Sequence, residues 1–215
     1  ATWNTTLAKQ MGEITAYETR ASGIRWNFSP VLDLGRQPLW SRHFETLGED
    51  PYLASEMGTA LVKGYQGDSI DPFHVAACLK HFVGYSASLS GRDRTPAWIP
   101  EKYMQELYLP SFKKAIENGA LTVMVNSGSV NGIPGHLNHH LLTETLKKEW
   151  GFKGFVVSDW SGTHSTLPAA LAGLDLEMPT GDYMSQLLPF VQSGQIQEKL
   201  IDDKVARILN SLDQL

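Results

Sequence analysis

Short apolar runs alternate with amphipathic segments along most of this sequence, and the alternation constrains the fold more than any other feature. The run from Leu121 to Val125 is almost continuously apolar, as expected for a strand buried on both faces. Roughly five strands interleaved with six or seven helices predict an α/β chain with a parallel sheet. The other predicted strands are Ile24 to Leu34, His74 to Val83, Gly154 to Trp160 and Leu174 to Met178.

The predicted helices are bounded by residues that favour helix starts and stops. Pro110 should bend one of them, because proline has no N–H and clashes with the preceding turn. Helical spacing of apolar residues predicts helices between Asp50-Pro51 and Gly67, from Glu101 to Asn118 and from Asn138 to Trp150. A small-residue helix follows the fourth strand, and two further helices close the chain.

Polar residues gather directly after each predicted strand. In a (β/α)8 barrel these strand ends share one face, which carries the active site. An open sheet would also place its site at strand ends, but near a switch point. The pattern therefore favours a barrel, although 215 residues is short for one. The strand-end residues are Asp33, Arg36, Lys80, His81, Asn126, Ser127, Ser158, Asp159 and Glu177.

Composition excludes several classes of function. The 18 basic and 23 acidic residues give a net charge of −5, which disfavours a nucleic-acid partner. No apolar run approaches the roughly 20 residues that span a bilayer. The single cysteine, Cys78, excludes an intrachain disulfide. The histidines form neither His-x-His nor HExxH, so no metal or other cofactor is expected.

Asp159 is the leading candidate for chemistry. It leaves a buried strand beside Trp160, which could form a wall of a pocket. A fixed and partly desolvated carboxylate suits a nucleophile that attacks the anomeric carbon of a sugar. The residues alone fit equally well a carboxylate that caps the next helix.

Three other groups carry donors near predicted strand ends. Lys80-His81 could bind vicinal hydroxyls, but both side chains reach one face only if the strand ends or bulges there. For an isolated pair, the residues favour instead a lysine paired with a carboxylate and a histidine whose hydrogen bonds are satisfied within the fold. Arg42 lies in the loop after the first strand, where nearby acidic residues could equally hold it as scaffolding. For Asp93 and Arg94 we favour a local cluster of ion pairs.

The longer motifs resemble one known family, the β-glucosidase-like enzymes of glycoside hydrolase family 3. Order and spacing match over nearly the whole chain. The matching stretches are FSPVLDLGRQPLWSRHFETLGEDPYLASEMG, AACLKHFVGYS, GRDRTPAWI, LTVMVNSGSVNGIPGHLNHHLLT, WGFKGFVVSDW and AGLDLEMP.

The resemblance implies a retaining, two-step mechanism with Asp159 as the nucleophile. Arg42, Lys80 and His81 would bind sugar hydroxyls, and His136 would line the same pocket. Trp160 and Ser127 complete the expected sugar-binding set. Ser127 stands where plant-type members often have tyrosine, which leaves substrate preference open.

The resemblance also implies what this chain does not supply. Residues 1–215 would form part of a (β/α)8 TIM-type barrel, without its first strands and without the α/β sandwich domain that follows it. The general acid usually comes from a separate domain, and Glu177 is an outside candidate. Because a partial barrel has two open edges, we expect it to need the rest of its own chain.

Several functions remain open from the sequence. The first hypothesis is a retaining enzyme that cleaves terminal β-D-glucosyl residues from glucosides or β-linked oligosaccharides, with xylosides and arabinosides behind. N-acetylglucosamine substrates are disfavoured, because KHFVGYS lacks the histidine-containing loop of that branch. Alternatives are a non-catalytic carbohydrate-binding remnant and, with least support, a metal-dependent hydrolase. The resemblance implies a secreted or periplasmic location.

Overall fold

A parallel three-stranded sheet forms the centre of the molecule. The structure is a computed structural model that describes residues 2–69, 71–179 and 181–215. The strands in chain order are β1 (Cys78–Phe82), β2 (Thr122–Val125), β3 (Ser129–Val130), β4 (Ile133–Pro134) and β5 (Phe155–Val157). The central sheet has the order β1-β2-β5, while β3 and β4 pair antiparallel as a short hairpin.

Extended segments flank the central sheet on both sides, but they are not regular strands as predicted. The segment 24–34 touches β1 only through isolated parallel bridges at Trp26 and Val31. Pro30 lies between these bridges and has no N–H to donate to a ladder. On the other side, Leu176 forms a single parallel bridge to Val157. Beyond it the Ser158 hydroxyl takes the place of the backbone ladder, bonding both the N–H and the carbonyl of Met178.

Helices connect the parallel strands, so the α/β class is confirmed. The helices are α1 (Thr5–Ala21), α2 (Pro51–Gln66), α3 (Glu101–Tyr103), α4 (Pro110–Glu117), α5 (Thr166–Ala172), α6 (Asp182–Gln192) and α7 (Glu198–Leu212). Short 3-10 turns occupy His43–Glu45, Tyr85–Ala87 and Gly135–Leu137. Within the described ranges, no helix combines the length and apolar character needed to cross a membrane.

Two predicted α-helices contain wide π turns. Residues Met104–Tyr108 and His140–Glu149 are π-helical. In the first, the Leu109 N–H donates to the Met104 carbonyl, five residues back, and Pro110 follows without an N–H of its own. The turn therefore widens next to the proline, where a regular ladder would lose a bond.

Helix α1 was not among the elements located from the sequence, and it packs closely on α2. The Asn4 side chain caps it by accepting the Leu7 N–H at 3.1 Å. Gly12 and Gly64 meet where the two helices cross, and a Cβ on Gly64 would lie 2.3 Å from the Lys9 carbonyl oxygen. The missing side chains allow this approach of the two backbones.

Side chains of the central strands alternate between two apolar clusters. Leu79, Val123 and Val156 face the larger cluster, which packs against the helices. Cys78, Met124 and Phe155 face the smaller one. The prediction that the Leu121–Val125 run is buried on both faces is therefore confirmed. Because the strands are parallel, their carboxyl ends lie at one edge of the sheet, and this edge carries the candidate site.

Candidate active site

Asp159 lies two residues beyond β5, where the backbone is held from several sides. The Ser158 N–H donates to the Leu176 carbonyl at 2.9 Å, which continues the pairing at the end of the strand. The Asp159 residue is only 7% exposed. Its carboxylate is consequently fixed in place and largely withdrawn from water.

Three donors face the Asp159 carboxylate. The Ser127 hydroxyl donates to Oδ2 at 2.5 Å, and the Trp160 N–H donates to Oδ1 at 2.6 Å. The Arg94 guanidinium lies 3.8 Å from Oδ1. Burial alone raises the pKa of this carboxyl, but Ser127, the charge of His81, the Trp160 N–H and Arg94 outweigh it. The net effect is a pKa below the ordinary value of 3.8, so Asp159 is ionised at neutral pH.

His136 holds the backbone of the same residue. Its Nε2 accepts the Asp159 N–H at 3.2 Å, which requires a neutral ring with the proton on Nδ1. The ring is buried and packs so closely on Gly162 that a Cβ there would lie 2.3 Å from Cε1. Burial lowers the pKa of His136 to about 4, assisted by the charges of His164 and Arg94 and opposed by Asp159.

Lys80 and His81 lie at an irregularity in β1. Leu79 pairs with Val123 but Phe82 pairs with Val125, so β1 uses one more residue than its partner over this step. This is the bulge that the sequence required if both side chains were to reach the strand end.

His81 is buried and anchored by a carboxylate. Asp33 Oδ2 accepts both the His81 backbone N–H at 2.9 Å and a hydrogen bond from ring Nδ1 at 2.8 Å. The His81 ring meets Tyr85 edge-on, with 4.9 Å between ring centroids. Nε2 is thus the ring atom that remains to meet a ligand. Oδ1 of Asp33 is buried and forms no hydrogen bond within the described part of the chain.

Arg42 is held by an acidic neighbour, as the scaffolding interpretation proposed. Its Nε and Nη2 donate to the two oxygens of Glu45 at 2.7 and 2.8 Å. The guanidinium also lies over the rings of Trp40 and Tyr85, at 6.0 and 5.8 Å from their centroids. The Glu45 hydrogen bond raises the pKa of Arg42 despite the cost of burial.

Lys80 contributes a positive charge near Arg42 and Glu45. Its ammonium forms no hydrogen bond or ion pair with the residues that the structure describes. The pKa of Glu45 lies below its usual value, chiefly through the Arg42 hydrogen bond and also through the charges of Lys80 and His81.

Trp160 offers an aromatic surface next to the carboxylate. It is 46% exposed and meets Phe28 edge-on, with 5.6 Å between ring centroids. Phe28 in turn packs edge-on against Trp26. The first extended segment thereby supports the ring at the site.

The interpretation of Asp93 and Arg94 as a local ion-pair cluster is wrong. Arg94 Nη1 donates to the Trp160 carbonyl at 2.7 Å, and Nη2 approaches Asp159. Asp93 accepts a hydrogen bond from the Trp40 indole at 3.3 Å. Arg94 therefore belongs to the site, because the loop after β1 extends to the end of β5.

Glu177, the outside candidate for the acid, has a structural partner. Its Oε2 accepts the Tyr183 N–H at 3.0 Å in the first turn of α6. This bond satisfies one of the backbone donors that a helix start leaves unpaired.

Sequence reasoning missed the roles of Asp33, Tyr85 and Arg94. Asp33 stood among the strand-end residues, but nothing local pairs it with His81, which is 48 residues away. Arg94 and Asp159 are similarly distant in sequence and meet only in the folded chain.

Comparison with known proteins identifies the family. The model of the glycosyl hydrolase family 3 N-terminal domain matches residues 1–211. The chain belongs to this family. Lysosomal beta glucosidase of Dictyostelium discoideum is 44% identical over 233 residues, covering 98% of this chain and 28% of that protein. Periplasmic beta-glucosidase of Salmonella typhimurium is 33% identical over 225 residues, covering 98% and 29%.

A solved structure shares the same fold. The beta-glucosidase from Listeria innocua in complex with glucose matches with a TM-score of 0.96 and 36% identity. The match covers 99% of this chain and 32% of that one. The family 3 segment described here thus spans less than a third of the length of these relatives.

Proposed function

We propose that the protein carrying this segment is a retaining β-glucosidase-type glycoside hydrolase, in which Asp159 is the nucleophile. Residues 1–215 would form part of its catalytic (β/α)8 barrel. The observation that carries the proposal is the state of Asp159: a carboxylate at a strand end, largely buried yet kept ionised by directed donors. The names of the relatives supply the substrate class, β-glucosides.

In the proposed first step, one carboxylate oxygen of Asp159 attacks the anomeric carbon as the bond to the leaving group breaks. The product is a covalent glycosyl-enzyme, which water then hydrolyses with retention of configuration. The donors on Asp159 serve this step by fixing the carboxylate and keeping it unprotonated at neutral pH.

The proposed sugar-binding residues surround that carboxylate. The Lys80 ammonium, the His81 Nε2 edge and the Arg42 guanidinium would meet hydroxyls, while Trp160 offers an apolar face. Ser127 and His136 bond Asp159 itself, which supports a positioning role for them in place of direct sugar contact.

A retaining enzyme also needs an acid about 5–5.5 Å from the nucleophile to protonate the leaving group. Glu177 caps α6, which gives no support for that role. We therefore propose that the acid comes from a part of the protein outside this segment. The relatives include periplasmic and lysosomal enzymes, which supports export from the cytoplasm.

Hydrolysis of an aryl β-glucoside by the complete protein tests the proposal. Asp159→Asn should lower kcat by about a thousandfold or more, because the amide cannot form the glycosyl ester. The matched control is Asp202→Asn, at an exposed position on α7, which should keep wild-type activity. No release of the aryl group by the wild-type protein from a β-glucoside or β-xyloside would refute a glycosidase and favour non-catalytic sugar binding.

A further inference from the structure

A second cleft is lined by residues of the two loops that also carry Arg42 and Arg94. Its volume is about 250 Å³, and its walls include Arg36, Gln37, Trp98, Tyr103 and Tyr108. Arg36 precedes Arg42 by six residues in one loop, and Trp98 follows Arg94 by four in the other. The residues that hydrogen-bond or pair with Asp159 are different ones, namely Ser127, Trp160, Arg94 and His136.

Two aromatic rings of the cleft are unusually exposed. Trp98 is 60% exposed and Tyr103 is 53% exposed, whereas Tyr108 is buried. Exposed Trp and Tyr rings offer a large apolar face with little side-chain freedom to lose on binding. Such rings suit the apolar C–H face of a sugar.

The backbone presents Trp98 rigidly. Its neighbours Ala97 and Ile99 are buried, and both are hydrogen-bonded to the β3–β4 hairpin. The Ala97 N–H donates to the Ser129 carbonyl at 2.8 Å. The Asn131 side chain bonds both the N–H and the carbonyl of Ile99 at 2.8 Å. The indole is thus directed outward by an ordered strand-like segment, which reduces the entropy cost of binding.

Polar donors accompany the rings. Arg36 is exposed, and the one hydrogen bond described for its guanidinium is a long one of 3.5 Å to the Glu49 carbonyl. A guanidinium has five N–H donors, so most remain available for hydroxyl oxygens. Among the residues that the structure describes, no carboxylate lines the cleft, which argues against a cationic ligand.

We propose that this cleft binds a sugar ring of a longer β-linked glucan, outside the ring that is cleaved. The inference rests on the proposed function, which it extends from glucosides to oligosaccharide and polysaccharide chains. The cleft is smaller than the roughly 300–1,000 Å³ of pockets for drug-sized ligands, so it suits one ring of a chain. A partner helix or folded domain would need a larger surface.

Affinity electrophoresis of the complete protein through a gel containing soluble mixed-linkage β-1,3-1,4-glucan tests this directly. An Asp159→Asn background prevents cleavage of the glucan. Adding Trp98→Ala should weaken the apparent affinity about five- to tenfold, a loss typical of one aromatic contact. Adding Arg36→Ala, at an exposed position with little effect on folding, should also weaken it.

The matched control is Tyr52→Ala, because Tyr52 is 73% exposed but lines a different cavity between α2 and the Glu101–Glu117 helical region. It should leave the affinity unchanged. Three results would each overturn the cleft assignment. The gel could retard the protein equally with and without the Trp98 side chain, Tyr52→Ala could abolish the retardation, or Asp159→Asn could show no retardation at all. Retardation that depends on Trp98 in a protein that cleaves no glucoside would keep the cleft and refute the proposed function.

Discussion

Asp159 is kept ionised in spite of its own burial. Removing a carboxylate from water raises its pKa, and here directed donors reverse that effect. The strongest of them is the Ser127 hydroxyl, whose bond to Oδ2 is also the shortest described at this carboxylate. Ser127, which stands where plant-type members often have tyrosine, therefore holds the carboxylate in this chain.

Removing the Ser127 hydroxyl should change both the rate of glycoside hydrolysis and the pH dependence of kcat/KM. In Ser127→Ala the Asp159 carboxylate loses a donor, so its pKa rises and the acidic limb of the kcat/KM profile moves to higher pH. We expect kcat/KM to fall about ten- to a hundredfold. Ser127→Thr keeps a hydroxyl and is the control. An unchanged acidic limb in Ser127→Ala would show that the bond does not set this pKa.

His136 should make the fold sensitive to acid. Its pKa is about 4 in the folded chain against an ordinary 6.5, so the unfolded chain binds more protons between these values. Stability present above pH 6.5 is therefore lost as the pH falls toward 4. From pH 7 to pH 4.5 the loss should be about 2 to 3 kcal/mol.

Urea denaturation of the wild type and of His136→Gln at both pH values measures this loss. Gln retains an oxygen that can accept the Asp159 N–H, but it does not titrate. The variant should therefore lose less stability on acidification than the wild type. Equal losses in the two proteins would assign the acid sensitivity to other groups.

Much of the site could be predicted from residues that follow apolar runs. Asp159, Ser127 and His81 all lie at strand ends, and the structure brings them to one edge of the sheet. The pairing of Asp33 with His81 and the reach of Arg94 to Trp160 could not be predicted. Both depend on where distant loops meet, and a single sequence does not record this.

Among the secondary-structure elements, the central strands form where the hydrophobic pattern predicts them. The two outer predicted strands make only isolated bridges. The segment 24–34 has a strand-like sequence, but Pro30 interrupts its ladder. Residues 174–178 keep a single bridge at Leu176, and at Met178 the Ser158 hydroxyl replaces the backbone pairing. The π-helical turns could not be predicted either, because the spacing of their apolar residues is close to that of an α-helix.

A buried charge cluster joins α7 to β5. Asp175 Oδ1 accepts from Lys147 at 2.6 Å and lies 3.8 Å from the Lys204 ammonium, while Oδ2 accepts the Val156 N–H at 2.8 Å. Burial lowers the pKa of Lys204 to about 8, although Asp175 opposes this. The cluster thus holds the strand that leads to Asp159.

Asp175→Ala should lower the free energy of unfolding by about 3 kcal/mol or more, because two buried ammonium groups lose their counter-ion. The matched control is Asp203→Ala, whose side chain is 55% exposed and pairs with Arg207 on the surface of α7. It should change stability by less than about 0.5 kcal/mol. Chemical denaturation compares the two, and equal small effects would show that the cluster is not an important contact between α7 and β5.

In the whole molecule, the parallel arrangement of the strands explains why the candidate site residues lie at one edge of the sheet. Strands β1, β2 and β5 run in the same direction, so residues that follow them converge although they are far apart in sequence. The chain corresponds to 28% and 29% of the two enzymes compared by sequence. The proposed nucleophile and sugar contacts lie in this segment, and the proposed acid lies outside it.

Covalent trapping of the complete, active protein tests whether Asp159 is the nucleophile. A 2-deoxy-2-fluoro-β-glucoside with a good leaving group should form a slowly hydrolysed ester, because fluorine slows the second step. Peptide mapping by mass spectrometry should find one fluoroglucosyl group on the peptide that contains Asp159, and none in Asp159→Asn. A label on any other residue of an active preparation would contradict the assignment of Asp159 as the nucleophile.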